Sequence, residues 1–373
     1  MDNSARLVRT VGRVMRTHYP RFLFGLPVKR GDVPVFTYHE ADPAGFAQDL
    51  AFLAENGYRT LGLEEYLSQS PGSSDTSRRV VLTFDDARRS FWEVGLPLLR
   101  QFKARATLFV PTYWVNNPPL QQGSALDLFM SWEQVRACAE SGLVDVQAHA
   151  HRHALVFTSG ILVDFASPEA ISRYDVYDWP MRDRDGSEEL GYPRYGAPVY
   201  RAAPLLSAEH RFVESSELAR RCEDHVLKNG DTEFFKLTDW RHQLQAIHST
   251  YARSTSAGYR MPNHEFIKLV RSEFEQCRAE FNTHLGYQPA YLAYPWMLGS
   301  PLSLELARES GFKAAFGVAL DYRRARNSRP SMPAFGRLKA DWLRLLPGRR
   351  RLSLGGMIAS KISGFGKDQN LAH

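Results

Sequence analysis

The sequence predicts an α/β fold in which helices surround a mostly parallel β-sheet. From residue 33 onward, apolar runs of strand length alternate with amphipathic runs of helical length. This alternation is typical of a parallel sheet, either open or closed. The chain has 373 residues and is 43% hydrophobic, so it can bury a large core.

The first predicted unit is the strand VPVFTYH at 33–39, followed by a helix. Asp42 is the expected N-cap, Pro43 begins the first turn and Gly57 marks the exit. A later helix is opened by Ser131, which has capping-box spacing to Gln134. The other predicted elements are strands at 80–84, 106–110, 143–149, 290–295 and 314–318 and helices near 91–102, 264–284 and 301–310.

Residues 157–263 interrupt this rhythm and predict an insertion in the loop after a strand. The segment is rich in tyrosine, charged residues and proline. Its aromatic content argues against disorder, and loops of this length in compact domains are usually functional. The aromatic side chains are compatible with stacking on sugar rings and equally with a satellite core.

The charge distribution separates the ends of the chain from its centre. Residues 1–30 hold seven Lys and Arg and one acid, and residues 323–373 hold twelve and two. The centre therefore carries 28 basic and 38 acidic residues, although the whole chain has a net charge of +6. An acidic centre argues against nucleic-acid binding by the core.

Both ends are predicted to be basic extensions, at 1–32 and 323–373, of a domain spanning 33–322. The pattern of residues 6–16 predicts an amphipathic helix with arginines on one face, which is compatible with a peripheral contact to anionic membrane or with packing on the domain. The cluster WLRLLPGRRR at 342–351 has the same two interpretations.

Cysteine usage and the absence of an export signal predict a cytoplasmic protein, with a possible location at the inner membrane face. The three cysteines are widely spaced and form no C-x-x-C pair, which argues against disulfides and thiolate zinc sites. The N-terminus lacks the apolar core of a secretory signal.

Unusual polar residues follow three predicted strands. Asp85 and Asp86 end the first, the run QAHAHRHAL with His149 and His153 ends the second, and Tyr294 ends the third in LAYPWM. If the sheet is a parallel barrel, these strand ends converge on its functional rim.

This combination predicts a divalent-metal site. Two imidazoles and one carboxylate suit such an ion and leave positions open for water and substrate. His149 and His153 with one aspartate provide this set, and the other aspartate is then free to act as a general base. An H-x-H pair of His149 and His151 is the alternative ligand set. A purely structural alternative is that the two aspartates cap the following helix and that the histidines lie on a solvated turn.

These motifs resemble those of the polysaccharide deacetylase family, the NodB-like carbohydrate esterases. The family motif T-F-D-D-G is similar to residues 83–87, H-[ST]-x-x-H to residues 149–153, and A-Y-P-Y-G to residues 293–296. Phrases such as VPVFTYHE, FLAENGYRTL and ESGFKAAFGV also follow in family order. The resemblance covers roughly residues 33–156 and 264–320.

The resemblance implies a distorted (β/α)7-type barrel, NodB-like, with the insertion between the second and third motifs. It implies metal-dependent hydrolysis of an N-acetyl group on an amino sugar. It further implies Asp85 as the base and, as ligands of a divalent ion, most simply Zn²⁺, the set Asp86, His149 and His153. The backbone N–H of Trp296 would stabilise the oxyanion, and we expect Tyr294 and Pro295 to contact the substrate.

The sequence departs from the family pattern in its general acid. After Trp296 the only histidine is the terminal His373, so the late L-x-H motif has no counterpart. The candidates for this role are Asp85 acting twice and His39 at the end of the first predicted strand. Histidines of the insertion region remain as further candidates, namely His210, His242, His248 and His264.

Three functional hypotheses follow from these patterns. The leading one is a deacetylase acting on an N-acetylated glycan or a lipid-linked sugar precursor. A second is an amidohydrolase-like metal hydrolase that uses the H-x-H pair. The third is a non-catalytic sugar-binding or assembly protein that keeps the barrel.

Overall fold

The structure is a computed structural model that describes residues 21–25, 28, 33–68, 78–115, 128–317 and 332–355. In this part of the chain, nine strands form one sheet, and every pair of neighbouring strands in it is parallel. The predicted α/β fold with a parallel sheet is therefore confirmed. The helix predicted at 6–16 lies outside the described residues.

The strands of the described residues are β1 (Val35–Tyr38), β2 (Tyr58–Thr60), β3 (Arg78–Phe84), β4 (Ala106–Val110), β5 (Val144–Ala148), β6 (Leu155–Phe165), β7 (Arg182–Arg184), β8 (Ser187–Glu189), β9 (Pro198–Pro204), β10 (Phe212–Glu214), β11 (Gly258–Arg260), β12 (Tyr291–Ala293), β13 (Ala314–Phe316), β14 (Ala334–Phe335) and β15 (Leu338–Lys339). The α-helices are α1 (Pro43–Glu55), α2 (Leu63–Leu67), α3 (Leu96–Phe102), α4 (Trp132–Glu140), α5 (Pro168–Arg173), α6 (Ser216–Lys228), α7 (Trp240–Ser254), α8 (Asn263–Leu285) and α9 (Pro301–Glu309). A π-helical turn at Phe91–Gly95 leads into α3, and 3₁₀ turns lie at Arg21–Phe24, Val176–Asp178, Asp231–Lys236, Pro295–Met297 and Ala340–Leu345.

The sheet closes into a barrel through its last two strands. The strand order is β14, β13, β12, β5, β4, β3, β1, β15, and β2 pairs with the start of β3. The two ends of this order, β14 and β15, are consecutive in the chain and separated only by Gly336 and Arg337. Together they occupy one strand position between β13 and β1, so the barrel has seven strand positions.

Alternation along the strands fills the barrel interior. Val81 on β3, Phe109 on β4 and Phe316 on β13 belong to one buried cluster inside the barrel. The apolar residues directly before and after them on the same strands belong to the larger cluster that includes the helices. Because side chains alternate between the two faces of a strand, residues 83 and 85 follow Val81 toward the barrel axis. The outer face of the barrel and the helices form the larger core.

Local capping signals explain where the helices begin. Asp42 caps α1 by accepting a hydrogen bond from the N–H of Gly45. Ser131 and Gln134 form a reciprocal capping box at the start of α4. These caps satisfy backbone donors that have no partner inside the helix.

The strands β14 and β15 are part of the barrel. The predicted domain limit at residue 322 therefore falls short of β14 and β15. The turn Ala340–Leu345 packs Leu343 and Leu345 into the main core, so the apolar side chains of the basic cluster at 342–351 contact the protein itself. None of the described helices combines the length and apolar character needed to cross a bilayer.

The segment between β5 and α8 forms small sheets of its own. β6 pairs with β9, β7 with β8, and β10 with β11, all antiparallel. Half of its aromatic side chains are buried, including Tyr177, Trp179 and Tyr200, and most of the others are half-buried, whereas Tyr174 and Tyr259 are exposed. The satellite-core interpretation therefore accounts for most of these residues.

Candidate active site

The doubled carboxylate lies where β3 leaves the barrel. Asp85 continues the inward alternation of Val81 and Thr83 and is buried. The next residue on a regular strand would point outward, but Asp86 has a φ of 71° and Ala87 a φ of 49°. This left-handed turn, which is unfavourable for residues with a Cβ, allows both carboxylates to face the same rim.

The histidine motif makes a similar turn after β5. His149 is buried, and its backbone N–H donates to the backbone carbonyl of Val110. Its ring Nδ1 lies 2.9 Å from the carbonyl oxygen of Ala293. Ala150 and His153 have φ values of 63° and 49°. The chain thereby turns back and brings His153 beside His149, with ring centroids 4.9 Å apart.

Asp86, His149 and His153 meet in one buried group. Their potential ligand atoms all lie within 4.8 Å of one another. Oδ1 of Asp86 lies 3.5 Å from Nε2 of His149 and 3.4 Å from Nε2 of His153. The structure thus brings together the three residues that the sequence predicted as metal ligands.

The geometry of this group fits a small divalent cation. Tetrahedral zinc with bonds of about 2.0–2.1 Å places neighbouring ligand atoms roughly 3.3–3.4 Å apart, close to the two distances above. Oδ1 of Asp86 is buried and accepts no hydrogen bond from the described residues. A buried carboxylate oxygen without a partner is costly, and a cation between these side chains would satisfy it.

Burial and neighbouring charges shift the pKa values of this group in opposite directions. Burial raises the pKa of Asp86, but His153, His149 and Arg88 outweigh it and hold this pKa well below its usual range. Burial lowers the pKa of His153 to about 3, so its imidazole is neutral, as metal ligation requires. Burial also lowers the pKa of His149, but Asp85 and Asp86 outweigh it and the net pKa is raised.

Asp85 is held by an arginine that the sequence analysis did not assign. Nη1 and Nη2 of Arg337 donate to Oδ1 and Oδ2 of Asp85 at 2.6 and 2.7 Å. Burial raises the pKa of Asp85, but Arg337 and His149 outweigh it and lower the net pKa. Arg337 lies between β14 and β15, 252 residues from its partner, in a basic segment whose composition resembles an exposed tail.

The third motif contributes one residue to the site and directs another away from it. Trp296 has a φ of 51°, and its ring lies 4.2 Å from that of His153. Alternation directs Ala293 inward and Tyr294 outward, where Tyr294 is fully buried against the helical layer and accepts a hydrogen bond from Ser303. The structure therefore does not bring the Tyr294 side chain to the site, and Pro295 is buried beside it.

The predicted alternative with an H-x-H ligand pair is not supported. Nδ1 of His151 lies 2.8 Å from Oγ1 of Thr112, and His151 is not part of the group formed by Asp86, His149 and His153. It lies instead beside a cavity of about 460 Å³ between the histidine turn and α8.

The candidate general acids lie in different places. His39 is exposed and follows β1, whose last residue Tyr38 pairs with Phe84 directly before Asp85. His210 and His248 contact Thr158 and Tyr200 within the insertion. His242 and His264 are exposed on helices α7 and α8.

The insertion supplies a wall of the site that the sequence analysis did not anticipate. The ring of Tyr177 lies 4.2 Å from that of His153. Nη2 of Arg88 donates to Oδ2 of Asp175 at 2.7 Å, while Nε of Arg88 lies 3.7 Å from Oδ2 of Asp86. The sequence signal for this contact was weak, because Tyr177 is one of many tyrosines in an otherwise irregular segment.

Sequence comparison adds a family to this geometry. Residues 72–173 match the family model described as polysaccharide deacetylase. A curated relative, the poly-beta-1,6-N-acetyl-D-glucosamine N-deacetylase of Escherichia coli (strain K12), is 33% identical over 109 residues, which are 27% of this chain and 16% of that protein. The chain thus spans about one sixth of the length of the curated relatives it matches.

Two solved structures are also similar. A de-N-acetylase from Aggregatibacter actinomycetemcomitans superposes with a TM-score of 0.49 at 16% identity, over 82% of this chain and 94% of that chain. The BpsB deacetylase domain from Bordetella bronchiseptica superposes with a TM-score of 0.48 at 15% identity, over 82% and 95%.

The segment that matches the family model contains Asp85, Asp86, His149 and His153. It therefore spans the residues that the structure brings together at the rim of the barrel. The predicted resemblance is confirmed over this segment, which is similar to the polysaccharide deacetylase family.

Proposed function

We propose that this protein is a metal-dependent hydrolase that removes N-acetyl groups from an amino sugar of a polysaccharide or of a lipid-linked glycan precursor. The observation that carries the proposal is the buried group of Asp86, His149 and His153 beside a separately held Asp85. The E. coli relative is named for deacetylation of poly-beta-1,6-N-acetyl-D-glucosamine, which supports an N-acetylated glycan as the substrate class.

In the proposed mechanism Asp86, His149 and His153 would hold a divalent ion, most simply Zn²⁺. When bound, such an ion polarises the acyl oxygen and makes water at the site more acidic. Asp85 accepts the proton from the attacking water, and its bidentate pair with Arg337 fixes both carboxylate oxygens. The backbone N–H of Trp296 is the proposed donor to the oxyanion.

The leaving amine needs a proton, and His39 is the proposed donor. Of the histidines considered for this role, it is the one that follows a strand paired with β3, the strand that ends at the two aspartates. His39 follows the barrel strand β1 directly and is exposed, so it can reach a sugar that approaches the rim. Acetate and the free amino sugar are then the products.

A direct test is acetate release from a panel of N-acetylated oligosaccharides and lipid-linked sugars, with metal analysis of the same sample. We expect release from at least one class and a stoichiometric ion that is lost in His149→Ala. A metal-free native protein that binds the glycans without releasing acetate would instead favour the non-catalytic sugar-binding hypothesis.

Two matched variants separate the roles of the aspartates. Asp85→Asn should retain the ion and lower kcat by about 10²–10⁴-fold, because a positioned base is removed. Asp86→Asn should lose the ion, because a ligand is removed. If Asp85→Asn lost the ion and Asp86→Asn kept it, the two roles would have to be exchanged.

The location of the protein and its membrane contact are also part of the proposal. We infer a cytoplasmic protein that makes a peripheral contact with anionic membrane through its basic N-terminal residues, which would favour a lipid-linked substrate. Deletion of residues 1–20 should weaken binding to anionic vesicles. Unchanged binding after this deletion would remove the membrane from the proposal.

A further inference from the structure

Tyr177 of the insertion covers the candidate metal ligands. It lies on the 3₁₀ turn Val176–Asp178, its side chain is only 4% exposed, and its ring lies 4.2 Å from the imidazole of His153. On its other side it packs edge-on against Trp114 at 5.0 Å. The ring is therefore fixed between the aromatic cluster and a metal ligand.

The hydroxyl of Tyr177 is buried without a hydrogen-bond partner among the described residues. The ring that carries this hydroxyl lies 4.2 Å from His153, and the guanidinium of Arg88, whose Nε lies 3.7 Å from Oδ2 of Asp86, lies 5.0 Å from the same ring. A buried tyrosine hydroxyl normally finds a partner. An unpartnered donor beside the candidate metal ligands is therefore available to a molecule that enters the site.

An ion pair holds the turn that carries Tyr177. Asp175 accepts from Nη2 of Arg88 at 2.7 Å, and its other oxygen accepts from the N–H of Val176 at 2.6 Å. The guanidinium of Arg88 also lies 5.0 Å from the centre of the Tyr177 ring. The hydroxyl is thus positioned before any ligand arrives, which is the condition for effective stabilisation in a transition state.

We propose that Tyr177 is a further catalytic residue, whose hydroxyl donates a hydrogen bond to the N-acetyl group of the substrate. The inference rests on the proposed deacetylase function and gives the insertion a role in that reaction. The phenol acts as a neutral donor beside the acyl group and transfers no proton. The same hydroxyl can donate to the carboxylate of the acetate product.

The test compares Tyr177→Phe with the full-length wild-type protein, both loaded with zinc. The variant keeps the ring against His153 and removes only the hydroxyl. We expect an unchanged metal content, a fall in kcat/KM of about tenfold to a hundredfold, and a similar loss of affinity for added acetate, measured by calorimetry. Tyr174→Phe, an exposed tyrosine of the same insertion, is the matched control and should behave as wild type.

The outcomes distinguish this inference from the proposed function. A wild-type protein that releases no acetate from any substrate of the panel contradicts the deacetylase function itself. An active wild-type protein with Tyr177→Phe equally active and equally able to bind acetate contradicts the role of Tyr177. Loss of metal in Tyr177→Phe would show that the residue supports His153 structurally, which also overturns the proposal.

Discussion

Individual residues at this site combine strain with buried charge. Five residues with side chains have positive φ values within the three motifs, namely Asp86, Ala87, Ala150, His153 and Trp296, and Met297 follows the third motif directly with a φ of 58°. Each such residue costs about 1 kcal/mol or more. Their concentration at one rim of the barrel is typical of a functional site, where stability is lost in order to position side chains.

The pair of Asp85 and Arg337 makes a prediction at this scale. Both side chains are at most 2% exposed, and removing one partner leaves the other charge buried and unpaired. Arg337→Met should therefore lower the free energy of unfolding by about 3–5 kcal/mol. Denaturant unfolding at neutral pH, with the metal removed, measures this change.

A second substitution provides the control. In Arg337→Met with Asp85→Asn, no unpaired charge remains, so the double variant should recover much of the lost stability. If the two effects simply add, the charges do not interact as the structure indicates.

The sequence predicted the candidate ligand residues better than the residues that pack around the site. Asp86, His149 and His153 were recognisable because they follow strands whose ends must meet in a parallel barrel. Arg337 and Tyr177 were not, because each contacts the site through the tertiary fold from a segment without a regular pattern. The expectation that Tyr294 binds substrate failed, because strand alternation turns it outward after Ala293.

Among the elements, α1 shows how the last part of the chain is attached to the barrel. Asp49 on α1 accepts a hydrogen bond from the Tyr38 hydroxyl at 3.0 Å and pairs with Nε of Arg344 at 3.2 Å. Tyr38 ends β1, and Arg344 belongs to the turn Ala340–Leu345. Arg344 is half-exposed, so its charge offsets only part of the effect of burial on the pKa of Asp49.

Asp49 predicts a pH dependence of stability. Burial raises its pKa from 3.8 to about 6, so the folded state binds this proton more tightly than the unfolded chain does. The free energy of unfolding should therefore fall as the pH rises from about 4 to about 6, by at most roughly 3 kcal/mol from this group. Asp49→Asn should remove this part of the dependence, as measured by denaturant unfolding at several pH values.

Glu55→Gln is the matched control, because it removes an acidic charge from an exposed position of the same helix. Its stability should follow the wild-type pH dependence. A wild-type profile that ran parallel to that of Asp49→Asn between pH 4 and 6 would contradict the assignment.

The predictability of the elements followed their local signals. The strand 106–110 was predicted with its observed limits, and α4 and α9 were predicted within a few residues because caps and turns mark their ends. The strands of the insertion were not predicted. β7 and β8 have the sequences RDR and SEE, so they show no apolar periodicity and depend on pairing with each other.

For the whole molecule, the ligand group predicts that metal binding stabilises the fold. A cation that binds only the folded state adds about 2.7 kcal/mol at a concentration one hundred times its Kd. Zinc should therefore raise the thermal midpoint of the metal-free protein in a concentration-dependent manner, and a chelator should reverse the increase. Scanning calorimetry measures both effects.

Two histidine variants test where the ion binds. His149→Ala should abolish the stabilisation by zinc, whereas His242→Ala, at an exposed position of α7, should retain it. Equal responses of the two variants would place the ion elsewhere on the protein.

The position of Arg337 between β14 and β15 has a consequence for biosynthesis. Residues 332–345 leave the ribosome after all three motifs, so a nascent chain contains Asp85 long before Arg337, whose positive charge pairs with it. The same short segment then supplies both the seventh strand position of the barrel and Arg337, the partner of the proposed base. A chain interrupted before residue 337 would contain Asp86, His149 and His153 but would lack the arginine that pairs with Asp85.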